Sequence, residues 1–277
     1  MVCMKLLKGL LWIAVPVILV FFISKTSPLL GLLFALISIG AIVFFLRADL
    51  CTAMGQMRFA KDHESGFRWF ERALRSGKMR PHAQLVYAYL LLRDGHLDKA
   101  ERLITKVTFL AREKLDDTMK CSAKLNMALV KWKKGNLDEA IADMEALYNE
   151  DNYRSTVHYG TLGCFYLLSG QYSKALEFNR EGYEYNNTDK VIRDNLAQTH
   201  LLMGDMREAK ELYEALIADE PAFLEPYYNY GQLLGQMGDY EGALKSYRKA
   251  LTYEEKYLST VTREQIFLAI QAMEARI

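Results

Sequence analysis

The chain has 277 residues, 51% of them hydrophobic and 25% charged, enough for one large domain or two ordinary ones. Four of its 35 basic residues (Lys5, Lys8, Lys25, Arg47) fall in the first 47 positions, which carry no acid, so the remainder counts 31 basic against 34 acidic residues. A slight acidic excess argues against a nucleic-acid reader, which needs a concentrated basic face, and four scattered cysteines (Cys3, Cys51, Cys121, Cys164) without a C-x-x-C pair argue against both a disulfide framework and a zinc module.

The amino end reads as a membrane hairpin. Leu6–Ser24 offers 19 residues interrupted only by Lys8, whose stem can snorkel, and at the helical rise these cover about 28 Å of a hydrocarbon core of about 30 Å. Thr26–Leu46 is an uncharged run of 21 residues, about 32 Å as a helix. Only Ser24-Lys25-Thr26-Ser27-Pro28 joins them, so the two spans are expected to run antiparallel. Gly31, Ala35 and Ser38 form a small-residue stripe on the second span, where another helix can approach closely. A cleaved signal peptide is the rival reading, but no A-x-A site precedes Lys25. Lys5 and Lys8 before the spans, and Arg47, Arg58 and Lys61 after them, outweigh Lys25 in the loop, which predicts both termini on the cytoplasmic side of a bacterial cytoplasmic membrane.

Beyond Arg47 one phrase recurs: Gly95-His-Leu-Asp-Lys-Ala100, Gly135-Asn-Leu-Asp-Glu-Ala140, Gly170-Gln-Tyr-Ser-Lys-Ala175, Gly204-Asp-Met-Arg-Glu-Ala209 and Gly238-Asp-Tyr-Glu-Gly-Ala243. The glycines stand 40, 35, 34 and 34 residues apart, and a weaker copy, Lys61–Gly66, precedes Gly95 by another 34. Each phrase predicts a helix that ends on a left-handed glycine, with a neighbouring Asp or Asn helping to start the next helix. Small residues seven before each glycine (Ala88, Ala128, Gly163, Ala197, Gly231) and alanines five after it mark where paired helices cross, while Phe70, Ile104, Met144, Tyr213 and Tyr247 supply bulk one turn on. Six residues near Ala111–Asp117 are additional to this spacing.

This pattern resembles the tetratricopeptide repeat, with Tyr227, Tyr230, Gly231, Leu234, Gly238, Ala243, Tyr247 and Ala250 matching the motif most fully. Together with the transmembrane hairpin read from the apolar runs over residues 1–46 (spans 6–24 and 26–46), the resemblance implies an all-α fold of six helix-turn-helix repeats (47–80, 81–120, 121–155, 156–189, 190–223, 224–257) and a capping helix over 258–277, opened by a Thr262/Gln265 capping box.

No metalloprotease, nucleophile-elbow or P-loop pattern occurs, and the five histidines are scattered over four of the repeats, so a non-enzymatic chain without cofactor, metal or small-molecule substrate is expected. The resemblance further implies a concave groove lined by the first helix of each repeat. Carried over by phase, its residues are Tyr89, Arg93, Asn126, Trp132, Lys133, Asp194, Gln198, Tyr228, Asn229 and Gln232, a set rich in aromatics for contact area and amides for peptide backbone. The alternative is that Asn126, Asn195 and Asn229, which share one repeat position, tie adjacent helices instead. The expected function is a membrane-anchored adaptor that holds a protein or peptide partner in this groove. The alternative function is an assembly or envelope-biogenesis factor whose hairpin binds an integral membrane enzyme.

Overall fold

A computed structural model describes residues 15–111, 113 and 115–277, and all regular secondary structure among the described residues is helical. Two compact units partition the chain, the first ending at Ala83 and the second running from Gln84 to Ile277.

The first unit contains α1 (Val15–Thr26), α2 (Pro28–Phe59) and α3 (His63–Arg75). Residues 6–14 of the expected first span lie outside the described residues. The five-residue connection expected between the spans contracts to Ser27 alone. Thr26 remains helical because its hydroxyl donates to the Ile23 carbonyl at 2.9 Å, and Ser27, extended at φ −151°, caps α2 immediately before Pro28. Gly31 lies so close to Ser24 that a Cβ there would stand 2.0 Å from its Oγ. On the other sides of α2, Leu29, Leu32, Leu36 and Ile39 are exposed, and this is a helix long and apolar enough to cross a membrane.

Because α2 continues unbroken past Arg47, its apolar stretch and the leading helix of the first repeat are one rod. Its last turns pack on α3. Gly66 stands where later repeats carry alanine, since a Cβ would fall 2.7 Å from the Phe59 Cα. No glycine is needed at Lys61: its amide and that of Asp62 both reach the Arg58 carbonyl, and the Asp62 carboxylate caps the Ser65 amide at 3.1 Å.

In the second unit helices pair in order: α4 (Pro81–Arg93) with α5 (Leu97–Leu110), α6 (Asp117–Lys133) with α7 (Leu137–Asn149), α8 (Thr156–Leu168) with α9 (Tyr172–Tyr185), α10 (Lys190–Met203) with α11 (Met206–Ala218), and α12 (Glu225–Gln236) with α13 (Tyr240–Ala250). Gly95, Gly135, Gly170, Gly204 and Gly238 sit between the paired helices at φ +74° to +89°, a conformation that costs a side chain about 1–2 kcal/mol. The crossing positions are fully closed: Ala88, Ala100, Ala128, Ala140, Ala175, Ala197, Ala209 and Ala243 are each 0% exposed.

Two local expectations change. Of the residues that follow these glycines, only Asp239 caps with its side chain; the backbone of the others, near φ −80° to −100° and ψ +60°, departs from the extended geometry that aims a cap at the helix amides. The additional residues near Ala111–Asp117 go into the connection between α5 and α6, where Leu115 is buried and Asp116 caps the Met119 amide.

The terminal helix α14 (Arg263–Glu274) begins five residues later than expected. Thr262 and Gln265 form the reciprocal capping box, Gln265 N–H donating to the Thr262 hydroxyl at 3.2 Å and Thr262 N–H to the Gln265 side-chain oxygen at 2.8 Å. Ile266 drops into a core of Leu224, Tyr227, Leu234, Tyr247 and Val261. Residues 251–262 between α13 and α14 are non-helical.

Candidate functional site: a cavity between the leading helices and the carboxyl-terminal strap

Helices α4, α6, α8, α10 and α12 are the leading members of their pairs, and side chains from all five contribute to one face of the second unit. A cavity of about 310 Å³ opens there, lined by Tyr89, Leu129, Trp132, Val157, Phe165, Val191 and Phe223, with Asp194 and Asn195 on its floor. Trp132 keeps its place by packing on Phe165 with ring centroids 5.4 Å apart, and Tyr89 is 36% exposed.

The remaining wall comes from the non-helical segment 251–262. Leu258 and Thr260 line the cavity. The Tyr257 ring lies over the turn of the second repeat, where a Cβ on Gly95 would be 3.3 Å from its Cδ2. Lys133 sits 4.0 Å from the Trp132 ring centre and 5.3 Å from that of Tyr257, and its ammonium donates to the Ser259 carbonyl at 3.4 Å. Burial lowers the Lys133 pKa from the usual lysine value, opposed by the charges of Glu225 and Glu255. On the other side of the strap the Thr260 amide donates to Glu225 Oε1 at 3.2 Å. The strap's main chain is therefore held between a cation at the end of α6 and a carboxylate at the start of α12.

Behind the strap a second hollow of about 250 Å³ is lined by Gln198, Tyr228, Asn229 and Gln232 together with Thr260 and Val261. Its polar groups are mutually satisfied. Gln232 Nε2 donates to the Tyr228 hydroxyl at 3.1 Å, Gln198 Nε2 to Asn229 Oδ1 at 3.4 Å, and Asn229 Nδ2 to Asp194 Oδ1 at 3.2 Å. Asp194 is 5% exposed, and burial raises its pKa to about 7; the Asn229 bond pulls the other way and the nearby Glu225 charge adds to the rise. Burial also pushes the Cys164 thiol, which touches both hollows, up to about 12, so it stays protonated and is a poor nucleophile.

Of the residues assigned to the groove by phase, Tyr89, Trp132 and Asp194 line the first cavity, and Gln198, Tyr228, Asn229 and Gln232 the second, while Lys133 meets the strap. Asn126 is corrected: it is buried, and its Nδ2 donates to the Leu85 carbonyl at 3.1 Å, as Asn195 donates to the Gly160 carbonyl at 2.8 Å. Both tie consecutive leading helices, because a buried carboxamide must find a partner and the preceding helix supplies a carbonyl. Asn229 finds the Asp194 carboxylate instead. Arg93 is partly buried on α4 and lines neither hollow. Repeat phase missed Phe223, Glu225 and the whole strap, which lies outside the register; its one sequence signal is the apolar trio Tyr257, Leu258 and Val261 placed after the last repeat.

Paired helices turning on left-handed glycines, with small residues closed at every crossing, define an α-helical hairpin-repeat protein of the class that serves as a protein-interaction scaffold. The particular repeat is the tetratricopeptide repeat, which the chain carries in four segments: models described as tetratricopeptide repeat match residues 81–104, 122–152, 194–222 and 224–257. The fold is similar to that of a tetratricopeptide repeat protein from Parabacteroides merdae, at TM-score 0.62 and 18% identity over 91% of this chain and 94% of that one. It is also similar to PilF of Pseudomonas aeruginosa, at TM-score 0.58 and 13% identity over 83% and 97%. Among curated proteins it is similar to the protein O-mannosyl-transferase TMTC1 of Homo sapiens, 27% identical over 95 residues, which are 34% of this chain. U-box domain-containing protein 70 of Oryza sativa subsp. japonica is 27% identical over 129 residues, or 47% of this chain. The matched regions span 11% and 16% of the lengths of these two relatives.

Proposed function

We propose that this chain is a non-enzymatic adaptor, held in a membrane by an amino-terminal helical hairpin over residues 1–46, whose repeats over 47–257 capture a protein partner at the cytoplasmic surface. The observation that carries the reading is the cavity: exposed aromatic area from Tyr89 and Trp132 stands beside Lys133 and Glu225, two charged groups that already bond a main chain. Rigid aromatics bordering main-chain-directed polar groups are the means by which extended peptides are held. Exposed leucines along α2 and the basic residues that flank it support the anchor and its orientation. The alternative, in which the small-residue stripe of α2 receives an integral enzyme, loses Gly31, since Ser24 of the same chain fills that notch.

The test is affinity capture from native membranes with Tyr89→Ala and Trp132→Ala, singly and together. Each anchor should cost about 1–4 kcal/mol of partner affinity, a loss of about fivefold to nearly a thousandfold, with the melting curve retained. Undiminished capture by the double variant would reject the cavity as the recognition surface. Lost capture with a collapsed melting curve would make Trp132 a packing residue and reject it as an anchor.

A further inference from the structure

We infer that the strap Tyr257–Thr260 is an internal occupant of the peptide site, and that the partner contributes a peptide segment of the same chemistry which takes the strap's place. The inference rests on the groove reading above and adds the partner's form and its regulation.

Four features point to this. The strap is non-helical and presents its main chain to the groove, so Lys133 and Glu225 contact the Ser259 carbonyl and the Thr260 amide, groups that any peptide possesses. These bonds are independent of side-chain identity. Leu258 of the strap lines the first cavity, an apolar side chain that an incoming segment would reproduce, whereas Val261 at the strap's end belongs to the core beneath α14. Finally, the strap is fixed most firmly at its ends, where Val261 is buried in the core, and residues 257–260 between them carry a local turn, closed by the Ser259 amide on the Lys256 carbonyl at 2.9 Å, and only two bonds to the groove. Arg263 anchors its end by donating through Nη1 to the Leu251 and Tyr253 carbonyls at 3.0 and 3.1 Å, and the capping box fixes Thr262. In the middle, the bond to Ser259 is long, at 3.4 Å, and Tyr257 is 39% exposed. Residues 257–260, tethered at both ends and weakly bonded between them, can leave the groove while Val261 keeps its place in the core and α13 and α14 stay packed.

A tethered occupant competes at an effective concentration of about a millimolar, so it masks the site from weak ligands and yields to a segment that also fills the unoccupied cavity beside Tyr89 and Trp132. The strap therefore sets a threshold for capture. It favours a partner with an additional bulky apolar residue directed into that cavity.

The experiment uses the full chain in detergent and, as probe, a fluorescent peptide carrying the strap's own sequence, Lys-Tyr-Leu-Ser-Thr-Val-Thr. Wild type should bind the probe weakly, and a strap variant, Tyr257→Gly with Leu258→Gly, at least tenfold more tightly; adding Lys133→Ala to that variant should remove the gain. A variant with a wild-type melting curve and no gain overturns the inference. Should the double glycine change destabilise the fold, hydrogen exchange on the unaltered chain decides: saturating probe should speed exchange of the amides of residues 257–260, and unchanged exchange refutes displacement. Dimerisation of the strap variant without a gain in probe binding would give the groove to the strap of a second copy and likewise refute it. Failure here is distinguishable from failure of the adaptor reading. If Tyr89→Ala and Trp132→Ala abolish partner capture while the strap variant gains nothing, the groove stands and the strap is a fixed wall. A gain in probe binding with partner capture indifferent to those two residues leaves the strap inference standing and removes the adaptor reading.

Discussion

Two glycines on α12, one turn apart, should respond oppositely to alanine. At Gly231 an added Cβ would stand 2.5 Å from Cε1 of Tyr247, about 1 Å inside the contact distance at which carbon pairs are most stable. The ring has little room to retreat, since Tyr247 is 3% exposed and packs against Tyr228 with centroids 5.7 Å apart. Overpacking costs about 1–3 kcal/mol, and a ring without room to retreat puts Gly231 in the upper part of that range, about 2–3 kcal/mol; the better helix propensity of alanine returns about 1 kcal/mol, leaving a net loss of about 1–2 kcal/mol. At Gly235 the nearest atom is the Met273 sulfur, at 3.0 Å. It lies far along a flexible, partly exposed side chain that can move aside, so most of the propensity gain survives and Gly235→Ala should stabilise by about 0.5 kcal/mol. Urea unfolding followed by far-UV circular dichroism measures both. With a slope of about 2 kcal/mol/M the two midpoints should lie about 1 M apart on opposite sides of wild type. A Gly231→Ala variant as stable as wild type, or equal losses at both sites, would refute the packing argument.

Asp194 gives a pH signature. Its folded pKa of about 7 lies above the ordinary aspartate value of 3.8, so between those values the folded chain holds a proton that the unfolded chain has released, and stability must fall as pH rises across that window and level off above it. Asp194→Asn should flatten the decline in melting temperature between pH 5 and pH 8, and parallel profiles for the two proteins would contradict the assignment. The proposed membrane orientation predicts that an impermeant maleimide leaves Cys51 unlabelled in intact cells and modifies it after lysis; labelling in intact cells would reverse the proposed topology.

How much of this was legible beforehand follows from the range of the interactions involved. A left-handed turn glycine and a small residue at a helix crossing are requirements of one repeat on itself, renewed every 34 residues, so Gly204 and Ala209 announce their roles by position alone. The same holds for the apolar length of α2 and for the Thr262/Gln265 capping box, each contained within a few turns of chain. Phase also brought most of the groove residues to one face, but it could not separate Asn126, whose side chain is used by Leu85, from Trp132, which remains beside open space. That distinction depends on which carbonyl of the preceding helix comes within reach, a matter of interhelical packing. Nor does any local pattern bring Ser259 to Lys133, 126 residues earlier, or raise the Asp194 pKa by enclosing it beneath α12. Periodic local constraints repeat and can be read from the sequence; the strap in the groove and the charge state beneath it arise from single contacts between distant segments, and only the folded chain decides them.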